Sequence, residues 1–140
     1  MSAANGRLKR WALLYARAAL GAAFLSGIAS RFGLWGENVG YGDFARFMEY
    51  TGEVNAFMPA SSIPFLAWAA TVSELVLGVA LILGLQLRMA AFGSALVLLV
   101  FGAAMGLSFG LKSPLDYSVF SASAAALLLA LDSSGPQENS

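Results

Sequence analysis

The sequence predicts an all-α membrane protein: a four-transmembrane-helix bundle with a short interfacial helix in the first extracytoplasmic loop. Three observations lead there. Hydrophobic residues make up 59% of the 140-residue chain and charged residues only 11%, against roughly 45–50% and 25% in ordinary globular chains. The charges cluster between long apolar runs instead of being spread along the chain. One connecting segment, between the first two runs, carries an amphipathic helical pattern of its own.

The spans are expected at about 11–29, 63–85, 89–109 and 115–131, with polar tails at 1–10 and 132–140, all in one domain. The first holds Arg17 as its single charge, the second Glu74, and the third none. The fourth is near the lower limit of roughly 17–25 residues for crossing a bilayer.

Lysine and arginine set the orientation. Arg7, Lys9 and Arg10 crowd the N-terminus and Arg88 sits in the tight turn after the second span, whereas the segment 30–62 is acidic on balance. The positive-inside rule places both termini in the cytoplasm and that segment outside. A secretory signal peptide is the rival reading of the first span, given its basic start and the small residues Gly27, Ala29 and Ser30. Arg17 interrupts the apolar stretch that such a peptide needs.

Within the outer segment, "YGDFARFMEYTG" places Phe44, Phe47 and Met48 on one helical stripe, with Asp43 positioned to cap the start. Arg46, Glu49 and Glu53 fall away from that stripe, and Trp35, Tyr41 and Tyr50 stand nearby. The expected element is an interfacial helix over the outer mouth of the bundle, an anchor before it is a lid. Glycines at 102, 106 and 110 are expected to line one face of the third span for close helix packing.

Polar residues inside the spans carry the chemistry. "KSPLD" reads as a capping box, with Ser113 at N-cap, Pro114 at N1 and Asp116 at N3. Asp116 and Tyr117 could also line a site at the outer end. Arg17 lies about 9 Å beyond the inner boundary and can snorkel. Glu74, about 16 Å from either end of its span, cannot. A charge at that depth must be neutralised, paired or hydrated. Direct pairing of Glu74 with Arg17 is strained, because antiparallel helices tilt the two side chains apart. The favoured arrangement is a polar cluster of Glu74 with Ser121 and Ser123 of the fourth span, bridged to Arg17 directly or through water.

Three segments, "RAALGAAFLSGIASRF" (17–32), "SELVLGVALILGLQLRMAAFGSALVLL" (73–99) and "SFGLKSPLDYSVFSASAAALLLA" (108–130), together resemble the DoxX family of small bacterial membrane proteins. Their shared elements are R-x-x-L-G in the first span, E-x-x-x-G with a following arginine in the second, and P-L-D-Y-S at the start of the fourth. The resemblance implies a four-helix inner-membrane protein with an oxidoreductase label. It also implies links to quinones, to membrane redox complexes and to oxidative stress. Arg17, Glu74, Arg88, Asp116 and Tyr117 fall on the family's polar pattern.

With no cysteine and no histidine, the chain lacks a thiol relay, covalent haem attachment and the commonest metal ligand, so no metal site is expected. Zero net charge gives no basic field for nucleic acid. Two functions stay open. In the first, the chain is a quinone-interacting oxidoreductase subunit or the membrane partner of a redox protein. Glu74 would then exchange protons with a quinol oxygen, Arg17 would offset charge on the reduced ring, and Tyr117 and Trp68 would pack against it. In the second, the chain is a non-enzymatic small-molecule- or lipid-binding assembly protein. The small-residue faces also allow a homo-oligomer. Tight glycine packing and the lack of a long inverted repeat argue against a transporter.

Overall fold

The computed structural model describes residues 3–132, so most of the expected tail at 132–140 lies outside the described residues. The described residues are helical and contain no strand. The elements are α1 (Ala3–Arg31), α2 (Phe44–Val54), a single 3₁₀ turn (Ala60–Ser62), α3 (Ile63–Leu83), α4 (Leu87–Phe109), α5 (Lys112–Asp116) and α6 (Val119–Asp132). By length and composition α1, α4 and α3 with its leading 3₁₀ turn can each cross a membrane. A fourth apolar helix, α6, has 14 residues.

Local chemistry sets the boundaries. α1 begins eight residues before the expected span and takes in Arg7, Lys9 and Arg10. It stops at Arg31 because Gly33 turns left-handed, at φ 73°. Asp43 caps α2 as expected, its carboxylate accepting from Arg46 N at 2.8 Å. Gly84, left-handed at φ 72°, ends α3 at Leu83.

The fourth span departs from expectation. Two helices occupy the region, separated at Ser118, whose φ is 56°. The capping box does not form: α5 opens at Lys112 with no side-chain bond at its N-cap, and Asp116 pairs with Lys112 one turn back. A full positive charge within reach outcompetes a backbone N–H for the carboxylate.

The four longest helices form a ring in which α1 neighbours α3 and α6, and α4 neighbours the same two. Lys9 Nζ lies 2.9 Å from Asp132, so the start of α1 and the end of α6 share one face of the bundle. The main core fills that end with small and aliphatic residues, among them Leu20, Leu81, Ala91, Ala126 and Leu129. A methyl placed on Gly78 would lie 3.1 Å from Leu25 and 3.2 Å from Phe24, and one on Gly21 would lie 2.7 Å from Ile82. These two glycines set the α1–α3 spacing. The 102–110 ladder works differently from expectation. Only Gly102 meets another long helix closely, under the Phe120 ring of α6, while Gly106 faces Leu111 and Gly110 terminates α4.

A second, smaller core of Val54, Ala104 and Met105 lies beneath α2, with Tyr50 and Val119 against it. Between the two cores the bundle is hollow. Gly78→Val, which adds a branched side chain at the α1–α3 contact, is expected to destabilise the protein by about 1–3 kcal/mol; reversible unfolding in mixed micelles would read this directly.

Candidate functional site

Arg31, the last residue of α1, reaches Glu74 at the middle of α3. The two form an ion pair with side-chain exposures of 4% and 9%. The guanidinium also donates from Nη1 to Thr71 Oγ1 at 3.1 Å. Thr71, one turn before Glu74, in turn donates its hydroxyl to Ala67 O at 2.8 Å. Against the guanidinium lies the Phe47 ring of α2, whose centroid is 3.8 Å from the central carbon. Arg31 Nε has no hydrogen-bond partner, although it is buried.

A folded-back loop delivers a third group. Ser30 Oγ accepts from Tyr41 N at 2.9 Å, holding the loop against the end of α1. The approach depends on Gly40, where a Cβ would lie 2.1 Å from that oxygen. The Tyr41 ring then sits edge-on to Phe47, at 5.1 Å, and 5.6 Å from Tyr50. Further contacts join Phe44 to Trp68 and Tyr50 to Phe109, so an aromatic layer ties α2 to both α3 and α4.

Burial pushes the Tyr41 phenol up to about 12; the neighbouring Tyr50 adds to this, the Arg31 charge opposes it, and Glu74 and Tyr117 contribute further upward. Tyr50 is raised as well, first by burial and then by Tyr117 and Glu53.

These groups line a cavity of about 520 Å³. Arg31, Glu74, Tyr41, Tyr50 and Tyr117 give it one polar end, and α3 and α4 contribute mostly aliphatic walls. The volume falls in the range of roughly 300–1,000 Å³ usual for small-molecule sites.

The sequence-derived candidates divide. Glu74 and Tyr117 line the cavity, Tyr117 from an exposed position at its rim. Trp68 stands outside it, half-exposed, its ring tilted against Phe44 at 4.4 Å. Asp116 is turned toward Lys112 at the surface. Ser121 is exposed, and Ser123 donates to Ala95 O at 2.7 Å, so neither hydroxyl joins Glu74. Arg17 is placed elsewhere altogether. It donates from Nε to Leu81 O at 3.0 Å and from Nη2 to Ile82 O at 3.1 Å, satisfying carbonyls at the end of α3. Leu81 is seven residues from Glu74, about 10 Å along the helix.

Span ends alone do not give the partner of Glu74, because α3 starts well beyond the end of α1. Gly21 meets Ile82, Phe24 meets Gly78 and Arg31 meets Thr71, so the helices are staggered. That stagger brings Arg31 to the depth of Glu74. The usable signal was Gly33, which lets α1 continue through Arg31 before breaking.

The DoxX family model matches residues 12–115. This chain belongs to the DoxX family. The match takes in α2, α3, α4 and all of α1 after its first turns, and stops within α5, so Pro114 and Leu115 of the P-L-D-Y-S element fall inside it and Asp116, Tyr117 and Ser118 beyond it. Every group at the polar end of the cavity except Tyr117 falls inside the matched DoxX region. Comparisons with curated proteins and with solved structures gave no match.

Two outcomes follow from this geometry. Removing one partner of the pair, by Arg31→Ala or Glu74→Ala, is expected to cost about 3–5 kcal/mol, and the double change Arg31→Met with Glu74→Leu should recover most of it; unfolding of the three variants in micelles measures the difference. Because folding raises the Tyr41 value from 10.0 to about 12, its contribution to stability is constant below pH 10 and lost as pH rises toward 12. Tyr41→Phe should remove that part of the alkaline decline, and phenolate absorbance should lose its latest-titrating component.

Proposed function

We propose that this DoxX-family membrane protein binds a membrane quinone in the cavity beneath α2, as an oxidoreductase subunit or as the membrane partner of a redox protein. The observation that carries the reading is the neutral polar end of a largely apolar chamber, where Arg31 and Glu74 offset one another beside tyrosine hydroxyls. A flat ring with hydrogen-bond acceptors suits that end. Tyr41 and Tyr50 would donate to its oxygens, and their high affinity for protons keeps them donors at neutral pH. Glu74 is the group placed to hold or pass a proton at the ring, with Arg31 balancing its charge. A bound quinone would supply the two-electron chemistry that a chain without cysteine or histidine lacks, and a redox partner protein would supply the electrons. Within this reading the protein resides in the bacterial inner membrane with both termini cytoplasmic, α2 lies along the outer interface, α5 and α6 together make the fourth crossing, and copies of the chain can associate laterally.

The second reading, a lipid- or small-molecule-binding assembly protein, is favoured by the predominance of aliphatic side chains in the cavity wall. Purification with native lipids, followed by extraction and mass spectrometry, separates the two. Quinone is expected from the wild type and should be lost from Glu74→Gln and reduced in Tyr41→Phe. Recovery of lipid alone, unchanged by either substitution, would instead establish the second reading.

A further inference from the structure

The cavity has an open edge that the ion pair and the aromatic layer do not explain. On α3, Leu66, Ala69, Ala70 and Ser73 all line it; their spacing puts them on one face, and three of the four are small. Facing them from α4 are Val97, Val100 and Phe101, again at helical spacing, with Leu96 beside them. Near their connecting turn α3 and α4 pack closely, and a methyl on Gly93 would lie 3.0 Å from Leu77. Beyond that contact the cavity separates them. Leu96 and Val100 belong both to the cavity wall and to the outer surface, with exposures of 62% and 57%.

The depth of this edge matters. Leu96 and Val100 lie nine and thirteen residues into the 23-residue α4, about 14 and 20 Å from its start. An opening at mid-helix in a span faces hydrocarbon rather than water or headgroups. The polar end, by contrast, lies under α2.

The charge inside narrows what can enter. Among the described residues, Arg31 and Glu74 are the only ionisable ones lining the cavity besides tyrosine, and each neutralises the other. An anionic headgroup would find no uncommitted cation there, and a cationic one no uncommitted carboxylate. Thr51 and Asn55 direct their hydrogen bonds to carbonyls of α2, at 2.9 and 3.0 Å. Phenol donors therefore set the character of the polar end, which favours an uncharged, acceptor-bearing head.

We propose that the α3–α4 seam is a lateral portal, through which an uncharged amphiphile enters from the bilayer core and in which its hydrocarbon tail remains while its head sits beneath α2. This rests on the assignment of the cavity as a quinone site and adds the route and the tail. Small residues on α3 provide the groove, and Leu96 and Val100 form its outer lip. The ligand is then a long-tailed quinone rather than a soluble one.

The test uses the full chain in lipid nanodiscs, with a tail-free benzoquinone and its decyl homologue as probes, each compared at equal concentration in the lipid phase. Both should bind the wild type. The double change Leu96→Trp with Val100→Trp should weaken the decyl homologue by at least about tenfold, as overpacking of a fitted seam does, and leave the tail-free ring unaffected. Both positions are exposed, so the fold should tolerate the change. Independently, a decyl quinone with a photoreactive group at the tail end should label peptides covering 66–73 and 96–101 of the unmodified protein. Equal binding of both probes by the double variant, or labelling confined elsewhere, would overturn the portal and leave the quinone site standing. Failure of the decyl homologue to bind the wild type would overturn both. Retention in the seam of a phospholipid that the decyl homologue cannot displace would make it a lipid site and end the proposal.

Discussion

The ion pair of Arg31 and Glu74 constrains more of this molecule than any other contact. Removing two charges from water costs several kcal/mol each, and only a close pairing offsets it. A slip of one turn between α1 and α3, about 5.4 Å, would leave both charges stranded. The pair therefore fixes the stagger of these helices, and the close contacts at Gly21 and Gly78 occur in that same register. It also creates the platform on which Phe47 rests, and so determines where α2 can lie. The cavity is the space left beneath a helix held off the bundle in this way.

The two ends of the bundle solve different packing problems. At the end where α1 starts, alanines and glycines let four helices approach closely, and Arg17 closes the carbonyl end of α3. At the other end, large rings of α2 and its neighbours meet in mixed geometries, edge-on, tilted and stacked, around the cavity. Aromatic side chains tolerate such geometry because each needs few ordered torsions for a large contact area. The chamber is thus built by residue choice at one end, while the other end supplies rigidity.

Much of this could be read from the chain. The long helices followed from apolar runs, α2 from Asp43 and the stripe at Phe44, Phe47 and Met48, and the place of Glu74 midway along α3 from counting residues. What failed was relative placement. Arg31 reads as a loop charge when the first span ends at Ala29, which leaves Arg17 as the only charge within that span. Periodicity reports which face a residue occupies, but not how far one helix is displaced along another; here α3 begins well past the end of α1. Asp116 failed for a different reason, since two local partners competed and the nearer full charge won. Ser121 and Ser123 were judged by depth alone, and depth does not say which way a side chain turns.

The break at Ser118, with φ 56°, splits the last apolar stretch into α5 and α6, and both pieces pack against α4. The interruption leaves Tyr117 between them, exposed at the rim of the cavity. One margin of the chamber is therefore shaped by the backbone angle of a single serine.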